Sequence, residues 1–438
     1  MIGRLWTLTG LTLFWFLSLA GIARAEIPLA KVGDGWEVFS SGRIGAFLEL
    51  LKGDGIPQVF NAAGQPVHPV GNGGIAGLSD PVLRPDGTVT QGPLLSFRVR
   101  SGFLGNILGL GVRRQLTENT TLTGYISIWG TAETDSGRTF FKNFADEREG
   151  YIKVDGPFGS LLLGRALSLF SRGATEIDFL YGHGFGVGNP AGFDTAGPSA
   201  GHIGYGVLAA VFVAGLAYAT PKFHGLQLTV GYYDPARFVG LYWTRSKLGR
   251  PEAEATYDAA IGALTRIHLF VNGAWQKMYA TDLPRSTDVY GVGAGGRIEV
   301  GPVHLGVAGH YGQGLGVHYA LDGSDAVVAQ FTTQRLRKFD GAYVQSQVAL
   351  GKFDVSLGWG ITRVHRLPED YDPANNDPST MLPKISFLRS QMGISSVVVY
   401  HVSNSLHVAA DYFRADARWW LGEEQVVHGF NLGSTLVW

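Results

Sequence analysis

The chain has 438 residues, a formal charge of −1 at pH 7, 63 glycines, 16% charged residues and no cysteine. The near-neutral balance excludes an electrostatic nucleic-acid binder, and the absence of thiols excludes disulfides, thiolate metal sites and cysteine nucleophiles. An apolar fraction of 45% is too high for a disordered chain, which could not bury enough surface to offset its ordering entropy.

Residues 1–25 read as a secretory signal peptide. Arg4 sits in a short charged start, Leu5 to Leu19 is an apolar run, and Ala23 and Ala25 place small side chains at the −3 and −1 positions of a cleavage site. The run falls short of the roughly 20 residues a spanning helix needs. Cleavage after Ala25 is expected, leaving 26–438 as one domain. Further on, the best candidate for a membrane helix is Val207 to Ala219, which is too short and is closed by Pro221.

What the remaining chain carries is alternation. Leu226, Leu228, Val230 and Tyr232 share one strand face, with Gln227, Thr229 and Gly231 on the other. Ile267, Leu269, Val271 and Trp275 oppose His268, Asn272, Ala274 and Gln276 in the same way. The period returns at Val355, Leu357, Trp359 and Ile361, and at Leu406, Val408, Ala410 and Tyr412. Period two puts successive side chains on opposite faces of a strand, so each segment has one apolar and one polar or small face.

Two architectures fit such strands: a soluble sheet with its apolar face inward, or a membrane barrel with its apolar face toward lipid. The second faces here carry Gly, Ser, Thr, Asn and Gln, whereas a water-facing sheet would carry more Lys and Glu. Trp129, Tyr232, Trp359, Tyr412 and Trp438 end apolar faces, as aromatic girdles at two membrane interfaces require. The expected fold is therefore an all-β transmembrane antiparallel barrel in a bacterial outer membrane. Candidate strands centre on 38–51, 107–116, 121–130, 148–155, 160–168, 208–220, 226–234, 251–259, 266–279, 287–300, 303–315, 338–350, 353–364, 387–401, 406–417 and 426–438. That makes about sixteen, an even number as single-chain bacterial barrels have. Short turns such as Asn119-Thr120 and Gly301-Pro302 alternate with long stretches such as 52–93, 131–147, 170–206, 316–337 and 365–386. Short turns belong at the periplasmic rim and long loops at the outer rim. Residues 94–106 either extend the second strand or belong to the first loop.

At this point the chain resembles the sixteen-stranded general porins of Gram-negative bacteria. The resemblance is carried by the opening strand Val38 to Phe47 and by Glu149 to Arg165, which reads as strand, Phe-Gly turn and Gly-Arg. It continues through Ala217 to Leu226, with its Thr-Pro-Lys-Phe-His-Gly turn, and through the C-terminal series Phe430, Leu432, Leu436 and Trp438. That series resembles a barrel insertion signal, although the family usually ends in Phe. The resemblance implies a homotrimeric, water-filled channel for passive diffusion of ions and small hydrophilic solutes, embedded in outer-membrane lipid and lipopolysaccharide. It also implies an inward-folded third loop, here 170–206, with Glu176, Asp178 and Asp194 as the acidic side of a constriction. The family's Gly-Arg implies Arg165 as the facing base. Strict alternation would put Arg165 with Leu161 and Leu163, so a lumen position requires a bulge at Gly164. Arg43, Arg113 and Arg114 are further wall candidates.

Signals for other chemistry are poor. Gly291 to Gly296 satisfies a bare dinucleotide pattern but lies in an alternating strand. Ser396 and His401 fall on opposite strand faces. The acidic stretch Glu369 to Asp377 offers hard oxygens for Ca²⁺ without the glycine of an EF-hand, and reads more simply as a solvated outer loop. No catalytic residue, cofactor or metal is expected. The alternatives are a channel selective for sugar, phosphate or small organic acids and, less favoured, a barrel enzyme.

Overall fold

The computed structural model describes residues 26–68, 70, 74–75, 79–130, 146–180, 200–236, 243–244, 247–280, 286–321, 336–367 and 386–438. Among these, the chain forms a closed antiparallel barrel of sixteen strands. The strands are β1 (Trp36–Gly53), β2 (Val89–Arg100 continued by Asn106–Thr117), β3 (Thr120–Gly130) and β4 (Asp146–Gly156). Next come β5 (Gly159–Leu167), β6 (Phe212–Ala219), β7 (Leu226–Tyr233) and β8 (Arg250–Ile261). They are followed by β9 (Thr265–Ala280), β10 (Ser286–Val300), β11 (Val303–Gln313) and β12 (Lys338–Leu350). The last four are β13 (Phe353–Val364), β14 (Leu388–His401), β15 (Leu406–Trp419) and β16 (Glu424–Val437). Each expected strand coincides with one of these. Turns of a few residues join strands at one rim; at the other most connections are long, the exceptions being 281–285 between β9 and β10 and 420–423 between β15 and β16.

Alternation survives in the folded wall. In β7, Leu226, Leu228, Val230 and Tyr232 are exposed on the outer surface, while Gln227, Thr229 and Tyr233 are buried toward the lumen. Tyr232 and Trp359 lie on the outer face as a girdle requires. Trp129 does not. It is 1% exposed, packs edge-on to Phe212 at 5.3 Å and receives the Arg148 guanidinium over its ring at 4.8 Å. Its neighbours Ile126 and Ile128 take the outer face, so the parity of β3 turns Trp129 inward. The dinucleotide-like glycines lie wholly inside β10.

Residues 94–100 extend the second strand, as one of the two readings has it. Phe47 pairs with Arg100, but only four residues earlier Arg43 pairs with Ile107. Residues 101–106 of β2 therefore face only 44–46 of β1, the three extra residues make a bulge, and Phe103 and Leu104 are folded into the core beside Trp129 and Val437.

Both termini close the barrel. β16 pairs with the upper half of β1, and Gly42 and Trp438 exchange two backbone hydrogen bonds, of 2.6 and 3.0 Å. The N-terminal strand Ile27–Val32 then continues along the same edge, pairing with Trp36–Ser40. Phe430, Leu432 and Leu436 are exposed on the outer face, and the Trp438 indole Nε1 donates to Ser40 Oγ at 3.2 Å.

Candidate pore constriction

The connection from β5 to β6 turns into the lumen. Its two ends are joined where Ser168 N donates to Val211 O at 2.9 Å. Between them, Phe170 N donates to the Glu252 carboxylate of β8 at 2.7 Å, and a short helix α1 (Arg172–Glu176) follows. Ser171 begins α1 in the left-handed region, with φ of 69°, and its hydroxyl donates to Leu208 O across the loop at 2.5 Å.

The far side of the lumen holds the loop with polar groups. Tyr343 of β12 donates its hydroxyl to Ala174 O at 2.7 Å. Gln345, two residues on, brackets the next turn: its amide donates to Ile177 O at 2.6 Å and accepts from Phe179 N at 3.0 Å. The returning stretch is anchored by Gly206 N donating to Thr362 Oγ1 of β13 at 2.9 Å. Gly360 is required here: a Cβ at this position would lie 1.8 Å from Tyr205 O. The loop thus crosses the barrel and is fastened to β8, β12 and β13.

Charges gather beneath α1. Arg172 Nε donates to Glu254 Oε2 of β8 at 3.0 Å and lies 3.8 Å from Glu176 Oε1. Lower on the wall, Asp258 accepts from Lys222 at 2.7 Å and pairs with His268 at the same distance. Arg297 of β10 pairs with Glu299 at 3.0 Å, and Lys153 of β4 with Asp155 at 3.0 Å. Together Lys153, Arg172, Glu176, Glu254, Asp258, His268 and Arg297 line a cavity of 380 Å³. Burial under the loop pushes the Glu176 carboxyl up to about 7, while Arg172 pulls the other way.

The expected site residues separate into groups. Glu176 lines the cavity. Asp178 belongs to the same loop but is 1% exposed and turned into it, accepting from Leu180 N at 3.0 Å and His202 N at 2.7 Å. It pins the loop instead of facing the wall. Asp194 lies outside the described residues, as do the signal positions Ala23 and Ala25 and the stretch Glu369 to Asp377. Arg43 is buried on the lumen face of β1. Arg113 faces inward at the short-turn rim, tied to Glu26 at 2.6 Å and Glu37 at 2.5 Å.

Two bases point the other way. Arg165 is exposed on the outer face with Leu161 and Leu163, while Leu162 and Ala166 line the cavity. β5 pairs with β4 and β6 in unbroken register, so Gly164 introduces no bulge that would turn Arg165 inward. Arg114 shares the outer parity of Leu108, Leu110 and Val112, with its guanidinium 5.9 Å from the Trp36 ring. The lumen charges of β8 were nevertheless written in its sequence. Arg250, Glu252, Glu254, Thr256 and Asp258 occupy alternate positions against Pro251, Ala253, Ala255 and Tyr257.

Comparison with known proteins places this geometry. Solved structures that share the fold include three outer-membrane proteins. The outer membrane channel DcaP of Acinetobacter baumannii matches with a TM-score of 0.64 at 14% identity, covering 94% of this chain and 100% of that one. An anion-selective porin from Comamonas acidovorans matches with a TM-score of 0.54 at 13% identity, covering 92% and 100%. The trimer form of OmpT from Vibrio cholerae matches with a TM-score of 0.51 at 13% identity, covering 92% and 100%. Comparison with curated protein sequences finds no match. The family profile described as Gram-negative porin matches residues 18–433, nearly the whole barrel. The chain belongs to the Gram-negative porin family and forms an outer-membrane channel for passive diffusion.

Proposed function

We propose that this porin is a general diffusion channel for ions and small hydrophilic solutes, and that passage is governed where α1 faces β8. The observation that carries the reading is the charged cavity under the third loop, with Arg172 set between Glu176 and Glu254. Charged groups of both signs fixed along the lining of a narrow passage create a field that orders water and tunes ion preference. Solutes cross down their gradients, and no bond is made or broken.

The assembled form in this reading is a homotrimer in outer-membrane lipid and lipopolysaccharide; the solved OmpT trimer supports it. Cleavage after Ala25 makes Glu26 the first residue of the mature chain, where its carboxylate pairs with Arg113 at 2.6 Å. Edman sequencing of the exported protein should therefore begin at Glu26.

Planar-bilayer recording on purified, folded protein tests the function. Stepwise conductance, with closures grouped in threes, is the expected result. A correctly folded barrel that passes no current would overturn the reading.

A further inference from the structure

The cavity under the third loop has two unlike sides. Charges line it along α1 and β8 to β10, whereas the lumen face of β5, β6 and β7 offers none. Arg165 is the one charged residue in those three strands, and it lies on the outer wall. Facing the cavity instead are Leu162 and Ala166 of β5, Ala217 and Ala219 of β6, and Gln227 and Thr229 of β7. Strand register sets Leu162 beside Ala217, so their side chains form one apolar patch. Strands lie about 4.8 Å apart, so the uncharged strip from β5 to β7 is about 10 Å wide. It adjoins the charges directly, because Thr229 pairs with Glu254.

Ion passage does not account for alkyl groups on a watery wall, and covering them with the apolar part of a solute is favourable. On the other side, both signs stand close together. Arg172 and Glu176 are 3.8 Å apart, and both reach the cavity with part of their side chains exposed. Glu254 takes the Nε and one Nη of Arg172, which leaves donors of a five-donor guanidinium for a solute carboxylate. A solute of one sign is attracted by one member of the Arg172–Glu176 pair and repelled by the other. An ammonium and a carboxylate on one carbon are attracted by both. The cavity volume of 380 Å³ falls in the roughly 300–1,000 Å³ range of small-molecule sites.

We propose that this cavity is a weak, selective site for zwitterionic α-amino acids with aliphatic side chains. Arg172 holds the carboxylate, Glu176 holds the ammonium, and Leu162 and Ala217 cover the alkyl group. The assignment rests on the reading of the cavity as the passage for solutes and names the class it favours.

Planar-bilayer recording of the full mature porin in KCl at pH 8, where Glu176 is ionised, tests this. The quantity read is the solute concentration that half-occludes the current. The probes are L-leucine, L-serine, 4-methylpentanoate and 3-methylbutylamine, the last two keeping the alkyl group with a single charge. Leucine should half-occlude at about one quarter of the serine concentration, the gain from removing roughly one methylene from water. It should also act below the concentration of either singly charged analogue. Leu162→Ser combined with Ala217→Ser should abolish the advantage of leucine over serine. Glu176→Gln should weaken leucine and 3-methylbutylamine and strengthen 4-methylpentanoate. In a conducting channel, equal half-occlusion by leucine and serine, or occlusion by none of the four, would overturn the site alone. So would a singly charged analogue as effective as leucine, or a leucine preference that survives the double change. A folded barrel that passes no KCl current would overturn the diffusion reading beneath it. Should the double change prevent folding, Ala217→Ser alone carries the same comparison.

Discussion

Glu176 is poised to change charge under ordinary conditions, because burial holds its carboxyl at about 7. Above that pH it is ionised and favours cations in the passage; below it the negative charge is lost. The cation-to-anion permeability ratio should therefore fall as pH drops from 8 to 6. A unit charge about 5 Å from the ion path at near-water dielectric is worth about 0.8 kcal/mol, or roughly fourfold in the ratio. Reversal potentials under a salt gradient measure it, and Glu176→Gln should flatten the pH response. Glu254→Gln, which removes the closest partner of Arg172, should shift the ratio toward anions at every pH. Arg165→Gln should leave the reversal potential unchanged, since that side chain lies on the outer wall. Sequence alone gives Arg165 two incompatible positions, one from alternation and one from family likeness. Unbroken register decides for alternation.

At the scale of elements, the third loop depends on the strand it crosses to. Gln345→Leu leaves the Ile177 carbonyl and the Phe179 amide without their partner, and stranding buried polar groups costs about 1–3 kcal/mol each. The expected outcome is a larger, noisier single-channel conductance with the barrel intact, read in planar bilayers. The sixteen strands were legible from their alternation, because the pleat forces a period of two whatever the neighbours do, but the Val89–Arg100 part of β2 was not, 89–93 reading as loop and 94–106 fitting either strand or loop. The loop was legible only as a long glycine-rich connection with acids. Glu176 and Asp178 are two residues apart, yet one lines the cavity and the other is locked against His202. Irregular backbone has no fixed period from which such a difference could be read.

At the scale of the molecule, the closing seam draws on both ends of the chain. The N-terminal strand Ile27–Val32 and β16 lie end to end along β1, joined at Gly42 and Trp438. Deleting residues 27–32 exposes the lower edge of β1 and moves Glu26 away from Arg113. The temperature at which the folded band converts to the unfolded band on heating in SDS should fall. Replacing Trp438 with Ala should slow folding into bilayers, followed by the same band shift, because the aromatic packs at the seam and donates to Ser40.

By itself the sequence determined the barrel: its sixteen strands, its lipid-facing apolar residues and the rim that carries the long loops. Those properties follow from local period and from the cost of placing polar groups in hydrocarbon, and both act residue by residue. The tertiary structure alone decided which charges meet. Arg172 finds Glu254, Glu252 receives the Phe170 amide, and Gln345 grips the loop from across the lumen. Those contacts join residues more than eighty positions apart, and their partners are set by barrel closure and strand register rather than by local pattern.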